Sequence, residues 1–474
     1  MTIPAQAQCA HHRSRGGRRT RGSLPVAGLL AGALAGAAAC GIADVPAASA
    51  QVSEPAEESV TQRPRLDYES YGLSLDPVDR GARATGGSPV YSFSRLEVES
   101  GHDSNVRRAA SGESASLYTV TRPGVSLNLD GENHQSMVVG QAAIGRHRSS
   151  GGDDYEDLEL TARSRLEVDE DLELQLAAGA SRLHVARGSD LDLGPSFGTQ
   201  TYRSYDGSAQ VLSTALPDYP VLATLQSTWQ RYDDVDGIDR SGLDRWLGIG
   251  TARVGIARAG EVSFFVQPGI QRVDYTDPSA GNLDSTRADL AVGATYAGGS
   301  VSQVTGFVGA SRRSYDRADT SAELSALVGL NALWNATDLM TVNGNFSLSN
   351  EDSELSAASS VTTTKLALGL DYEILENVIF GSDIRVTDNR YEGAAEDERL
   401  FAAGVDLRYL LNEYAYVGAG LRWEDQSSGD AASEYRATVA SLRLGLKLCC
   451  LRDIAPGGPD GREMRQGVVN GVFR

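Results

Sequence analysis

The sequence predicts an all-β fold, a transmembrane antiparallel up-and-down β-barrel of about 18 strands, within a range of roughly 16–20. Three observations support this prediction. Polar and apolar residues alternate with a period of two through most of the chain, and short and long connections alternate between the runs. After residue 50 there is no apolar run of the roughly 18 residues that a membrane-spanning helix needs.

The first 50 residues have the pattern of a cleaved secretory signal. Five arginines precede an apolar run of small residues from about Leu24 to Ile42, and Ala48-Ser49-Ala50 follows. A charged region, an apolar region and an A-x-A site in this order predict cleavage after Ala50. A transmembrane anchor and a lipoprotein site at Cys40 are the alternatives. Cleavage lowers the net charge from −20 to −24, because it removes five Arg and one Asp.

Residues 51–89 and 449–474 flank the predicted barrel, which spans residues 90–448. The first segment is rich in Pro, Glu, Ser and Gly without sustained periodicity, which predicts an extended periplasmic segment. The second begins with Cys449 and Cys450, whose adjacency does not suit an ordinary structural disulfide. It is expected to be a disordered tail, because the last apolar run ends at Leu448.

The clearest strand pattern lies between Leu158 and Val168. Leu158, Leu160 and Leu166 occupy one face, while charged residues occupy the other. A polar turn at residues 169–171 leads into a second alternating run from Leu172 to Ser181, which predicts an antiparallel hairpin. Tyrosine and tryptophan near the run ends predict aromatic girdles at the two membrane interfaces: Tyr118, Tyr155, Tyr232, Tyr275, Tyr315, Trp334, Tyr372, Tyr391, Tyr409, Tyr414 and Trp423.

The connections alternate in length along the whole predicted barrel. Short turns such as 258–261 and 375–377 alternate with longer polar connections such as 185–201 and 234–243. Bacterial outer-membrane barrels have short periplasmic turns and longer extracellular loops. A soluble propeller or solenoid is disfavoured, because those folds show a repeat motif at a fixed period, and here only the hairpin period recurs.

Charged residues within the alternating runs are expected to face the lumen. A charge on the lipid face near the bilayer midplane costs roughly 2–4 kcal/mol. Arg272 and Asp274 are expected on this polar wall. The candidates for lining the lumen are Glu159, Arg163, Arg165, Glu167, Arg245, Arg253, Asp383, Arg385, Asp406 and Arg408.

Three short motifs resemble the outer-membrane β-barrel porins of proteobacteria known as the β-barrel porin 2 family. They are RPRLDYESYGL at 63–73, HDSNV at 102–106, and RPGVSLNLDG at 122–131 followed by His134. The resemblance covers about residues 62–448. It implies an outer-membrane barrel with no catalytic residue and a mostly undefined solute, with some relatives placed near exopolysaccharide export.

Other chemistries have weak support in the sequence. Ser149 and Ser150 lie near His147, but a loop serine beside a histidine is usually only a loop. Residues 233–239 carry carboxylates at calcium-loop spacing without the glutamate that closes an EF-hand. An acidic chain with a pI of about 4.8 argues against a nucleic-acid partner. No enzyme activity, cofactor or metal site is predicted.

The sequence therefore predicts a porin-like channel in the outer membrane for a polar solute or saccharide. The alternative is a non-conducting structural or assembly component of an envelope or exopolysaccharide export system. The expected partners are outer-membrane lipid and lipopolysaccharide, the barrel insertion machinery and the polar solute.

Overall fold

The computed structural model describes residues 90–449, except 132, 218, 278–283, 299–301, 318–319, 354–357, 394–396 and 413. The predicted signal and the segment 51–89 lie outside the described residues, as does all but the first residue of the predicted tail. Among the residues that are described, there is no helix with the length and apolar character needed to cross a bilayer.

Eighteen antiparallel strands form one sheet, in the number that the sequence predicts. Two single-turn 3-10 helices, Gly151–Asp153 and Ser241–Leu243, lie in the connections. The strands are β1 Val90–Asp103, β2 Ser116–Asp130, β3 His134–His147, β4 Tyr155–Asp169, β5 Leu172–His184, β6 Thr201–Ser213, β7 Val221–Tyr232, β8 Arg245–Ala259, β9 Val262–Tyr275, β10 Ser285–Gly298, β11 Ser302–Tyr315, β12 Glu323–Thr337, β13 Met340–Asp352, β14 Ser360–Leu375, β15 Val378–Glu392, β16 Glu398–Asn412, β17 Ala415–Ser428 and β18 Tyr435–Cys449.

The sheet closes on itself through β1 and β18. Each strand pairs with its neighbours in sequence, and β1 pairs antiparallel with β18 from Phe93↔Cys449 to Asp103↔Val439. Closure removes the free edges of the sheet. We call the end with the longer connections the loop end and the opposite end the turn end. Strands with odd numbers run towards the loop end, so β1 starts and β18 finishes at the turn end.

Alternation along each strand separates an apolar outer face from a polar inner face. In β2, Leu117, Val125 and Leu127 are about half exposed, whereas Ser126 and Asn128 are buried. This arrangement is the reverse of a soluble protein, because lipid is the solvent for the outer face of such a barrel. It explains how a chain with 41% hydrophobic residues builds a large sheet.

Two prolines lie inside strands of the closed sheet. Pro123 pairs with Leu96 of β1, and Pro268 pairs with Leu290 of β10. On the other side of each proline the ladder is interrupted, between β2 and β3 and between β8 and β9. Since proline has no N–H, each strand loses its pairing towards only one neighbour.

Candidate functional site: the barrel interior

All ten lumen-lining candidates lie on the strand face opposite the exposed apolar side chains. In β16, for example, Asp406 and Arg408 alternate with Val405, Leu407 and Tyr409, each of which is nearly half exposed. The same alternation places the others on the inner face: Glu159, Arg163, Arg165 and Glu167 in β4, Arg245 and Arg253 in β8, and Asp383 and Arg385 in β15. That they contact a permeating solute stays a prediction.

Several of these inner charges have partners that the sequence did not suggest. The Nη2 of Arg165 is 2.6 Å from Oε2 of Glu173, whereas its distance to Oε1 of Glu167 is 3.9 Å. Arg253 donates from Nε to Oε1 of Gln267 over 2.9 Å. The structure thus distributes the charges around the wall and does not gather the ten residues into one cluster.

The expectation that Arg272 and Asp274 face the lumen is wrong. Gln271 and Val273 are buried on the inner face of β9. Arg272 and Asp274 alternate with them along the strand and therefore lie on the outer face. Arg272 forms ion pairs there with Asp274 and, over 2.7 Å, with Asp316 in the next loop. These groups lie at the loop end of β9, away from the bilayer midplane where an outward charge is costly.

The last residues of β13 bend into the lumen. Pairing between β12 and β13 extends only as far as Val328↔Leu348, so the residues after Leu348 leave β12. Asn350 there receives hydrogen bonds from two arginines on the wall. Arg313 of β11 donates from Nε to the Asn350 Oδ1 over 2.9 Å, and Arg287 of β10 donates to the Asn350 carbonyl over 2.6 Å. Both arginines are only 1% exposed.

Asp352 extends this contact around the wall. Its Oδ2 is 3.3 Å from Nη1 of Arg245 on β8 and also accepts the hydroxyl of Tyr275 on β9. The end of β13 is therefore attached to four strands, β8 to β11. We call residues 349–353 the inner strand end.

The loop 185–200 reaches across the mouth of the barrel. The Tyr391 hydroxyl of β15 donates to the Oδ2 of Asp190 over 2.6 Å. Because β15 is nine strands from β6 in a sheet of eighteen, this contact lies on the opposite wall. Nearby, Gly188 has a φ of +75°, and a Cβ there would be 2.6 Å from the Tyr435 ring. Only glycine suits this close approach.

Buried contacts hold the base of this loop. Asp153 lies 3.0 Å from Arg107 Nε and accepts a 2.9 Å bond from Arg187 Nε in the loop. Burial alone would raise the pKa of the Asp153 carboxyl, but hydrogen bonds from Ser150 and Arg187 bring that pKa below its ordinary value. The loop is thus tied electrostatically to the connections β1–β2 and β3–β4.

The predicted aromatic girdles include four loop-end tyrosines that face inward in the structure. Tyr118, Tyr232, Tyr275 and Tyr391 are each at most 9% exposed and lie on the inner face, where they support the inward loops. Tyr155 stacks on His184 at 3.9 Å, and Tyr315 donates to the Ser359 carbonyl. Other aromatics do face outward and are about half exposed: Tyr205, Trp229, Trp246 and Trp423 towards the loop end, and Trp334, Tyr372, Tyr409 and Tyr414 towards the turn end.

A cavity of about 380 Å³ lies between the loop 185–200, the inner strand end and the wall. Its charged lining consists of Arg245, Lys365, Asp190, Glu351 and Asp352, with His184 beside them. The Lys365 Nζ is 3.6 Å from Glu351 Oε1 and the Arg245 Nη1 is 3.3 Å from Asp352 Oδ2, so both cations of the lining are paired and Asp190 leaves one carboxylate in excess. Leu191, Leu247 and Val273 add apolar surface.

The residues considered for other chemistries have structural roles in the loops. The Ser150 hydroxyl donates to Asp153, and the Ser149 hydroxyl donates to the Ala115 carbonyl. In the segment 233–239, Asp234 accepts the Arg240 N–H, Asp236 accepts the Gly198 N–H and Asp239 accepts the Ser241 N–H. These carboxylates point to backbone donors around the loops and not to a common centre.

Comparison with known proteins identifies the family. The model of the family described as "Putative beta-barrel porin 2" matches residues 87–448. The chain belongs to this family, and it is an outer-membrane β-barrel. No curated protein matches the chain.

Solved structures of outer-membrane proteins are similar at low identity. OccK2 (OpdF) of Pseudomonas aeruginosa is 12% identical, with a TM-score of 0.43, over 76% of this chain and 98% of that chain. OpdK of the same organism, solved with vanillate, is 13% identical, with a TM-score of 0.40, over 75% and 99%. The siderophore receptor PirA of Acinetobacter baumannii is 7% identical, with a TM-score of 0.40, over 77% and 81%.

Proposed function

We propose that the chain is a selective outer-membrane channel for a small neutral or zwitterionic polar solute, such as a saccharide. The observation that carries this proposal is the cavity inside the loop end. It combines a polar lining, in which both cations are paired with carboxylates, with apolar patches, as small-molecule sites do. Thr363, Thr387 and Asn389 add hydroxyl and amide groups that suit a polyhydroxy compound.

The inner face supplies the rest of the path. Below the cavity, arginines, carboxylates and amides line the half of the lumen nearer the turn end, which we call the turn half, and Arg163 and Glu167 are exposed on the inner face there. A solute entering at the loop end exchanges its hydration for polar groups in the cavity and then reaches a wetter compartment. Selectivity in such pores depends on the lining charges and on the narrowest cross-section.

Conductance in planar bilayers tests the proposal. We expect discrete but small open steps, because loop 185–200 and the inner strand end fill much of the mouth. A neutral disaccharide should reduce the current in a concentration-dependent way, and replacing both Thr363 and Thr387 by Val should weaken this block.

Arg163→Ser is the matched control in the turn half. It should shift the cation-to-anion permeability ratio towards cations and leave the disaccharide block unchanged. Open steps in the current that no saccharide blocks would refute the proposed class of solute, while channel activity itself would be supported. Complete absence of steps, in the wild type and in a loop-deleted variant alike, would favour the non-conducting component of an envelope export system.

A further inference from the structure

Three arginines lie in register on the outer face of β5, β6 and β7. Arg182 is opposite Arg203, and Arg203 is opposite Arg231. Their side chains are 43%, 49% and 58% exposed. We call Arg182, Arg203 and Arg231 the arginine row. Because adjacent strands are about 4.8 Å apart, three guanidinium groups share one short stretch of surface.

The position of the arginine row matches the headgroup level of the outer leaflet. The next outward pair towards the bilayer is Tyr205 opposite Trp229, and both are nearly half exposed. Leu225, 65% exposed, lies further along the same face of β7. Aromatic residues mark the membrane interface in such barrels, and the arginine row lies directly beyond them at the loop end.

The protein itself supplies little negative charge to the arginine row. Asp233 is 3.1 Å from Arg203 and 3.8 Å from Arg182, so one carboxylate serves two cations. Asp244 lies 3.6 Å from Arg231, but its side chain is only 10% exposed and it already accepts the Tyr232 N–H. Like charges directly opposite each other in a sheet are destabilising, so an external anion would stabilise this surface.

The opposite side of the barrel shows the usual solution. On the outer face of β15 to β18, Asp388 is paired in register with Arg399 over 2.7 Å, and Asp425 with Arg436 over 2.7 Å; Asp388 also lies 3.1 Å from Arg390 on its own strand. Opposite charges face each other there, whereas like charges face each other in the arginine row. The two surfaces lie at the same end of the barrel and differ in this arrangement.

We infer that the arginine row is a binding site for the phosphate groups of the outer-leaflet glycolipid, lipopolysaccharide. Arginine forms charge-assisted, often bidentate hydrogen bonds with phosphate oxygens. The adjoining Tyr205, Trp229 and Leu225 contact the acyl chains of the same molecule, which favours a lipid over free phosphate. This site is separate from the lumen and does not depend on the proposed channel activity.

The test compares lipid binding by full-length barrels in detergent micelles, measured by native mass spectrometry with bisphosphorylated lipid A. The double variant Arg203→Gln and Arg231→Gln should bind about tenfold or more weakly than the wild type, as expected from losing two surface cations. The control double variant Arg399→Gln and Arg436→Gln should bind as the wild type does. Heat-modifiable migration on a gel establishes that each variant is folded.

Measurements on the wild type keep the inference testable if the glutamine variant fails to fold. Monophosphoryl lipid A should bind severalfold more weakly, and added salt should weaken binding further. Equal weakening by both double variants, equal affinity for the two lipids, or displacement of lipid A by millimolar inorganic phosphate would each overturn the assignment.

Discussion

The half of the barrel interior nearer the loop end, which we call the loop half, contains the same kinds of side chain as the turn half. The two halves pack these side chains differently. In the loop half, Arg287 and Arg313 are 1% exposed and bind the inner strand end. In the turn half, Arg163 is exposed on the inner face, and Glu167 is 59% exposed. The residue types of the inner face therefore do not decide where the lumen is open. Arginines and carboxylates fill the lumen in the loop half and line it in the turn half. For the proposed channel we therefore expect permeation to be controlled at the loop end.

Removal of the loop 185–200 should have the largest effect. The Val185 N–H donates to the Gln200 carbonyl over 2.8 Å, so the ends of the loop are already paired and a tight turn can replace residues 186–199. We expect single-channel conductance to increase severalfold and the disaccharide block to disappear. Insertion of Gly-Ser at the turn 170–171 is the control, and an unchanged conductance after the deletion would contradict control at the loop end.

Replacement of Arg313 by Leu should release the inner strand end. The change removes bonds to Asn350 and to Ser285 and leaves buried polar groups unpaired, at a cost of about 3 kcal/mol. The temperature at which the folded gel band disappears should fall, and conductance should rise less than after the loop deletion. Arg253→Leu, which removes a buried arginine of the turn half, should lower stability without raising conductance.

The acid response should depend on Asp153. Its pKa is lower when the loops are folded, so its stabilisation is complete above the ordinary carboxyl value of about 4 and is lost as pH falls through the folded value. We expect the wild type to be cleaved by protease within loop 185–200 only in acid, and Asp153→Asn to be cleaved there at neutral pH as well.

Asp239→Asn is the matched control for Asp153→Asn. The Asp239 carboxyl also has a lowered pKa, through hydrogen bonds with Ser241, but it is fully exposed in the loop between β7 and β8. Its replacement should leave cleavage within loop 185–200 unchanged. If both variants are cleaved equally, Asp153 has no special role.

Tyr391→Phe should give the smallest change. It removes one hydroxyl bond to Asp190, worth about 1 kcal/mol, and should add brief openings to the current record without altering the main conductance. Tyr416→Phe removes a hydroxyl bond to Glu97 in the turn half and should not affect gating. Openings of equal frequency in the two variants would indicate that the Asp190 contact does not hold the loop.

The sequence predicts the barrel well because lipid imposes a simple rule on every strand. Apolar and polar residues have to alternate in every strand, as they do from Leu158 to Val168. The number of strands and the positions of the turns follow from where this alternation starts and stops. The same rule placed Arg163, Arg408 and the other candidates on the inner face. It misplaced Arg272 and Asp274, because the rule weakens at strand ends, where an outward charge meets headgroups and water.

The filled mouth was beyond prediction for a different reason. Nothing in the local pattern of Asn350 or Asp190 indicates that these residues bind to distant strands. Their partners Arg313 and Tyr391 are far away in sequence, and only closure of the barrel brings them together. The tyrosines near strand ends can be recognised in the sequence, and the period of two also indicates which face of the strand each one occupies. The girdle prediction used only their distance from the strand ends, so it did not distinguish inward from outward tyrosines.

The pairing of β1 with β18 also has a consequence for assembly. Until these two strands meet, each presents a row of unpaired backbone groups, the feature that drives edge-to-edge aggregation of sheets. The pairing joins residues at the two ends of the described chain, such as Phe93 and Cys449, so it is among the most non-local contacts and is expected to form slowly. The hazard of misassembly is therefore concentrated in one seam, and a chaperone that shields β1 until β18 arrives would protect the whole barrel.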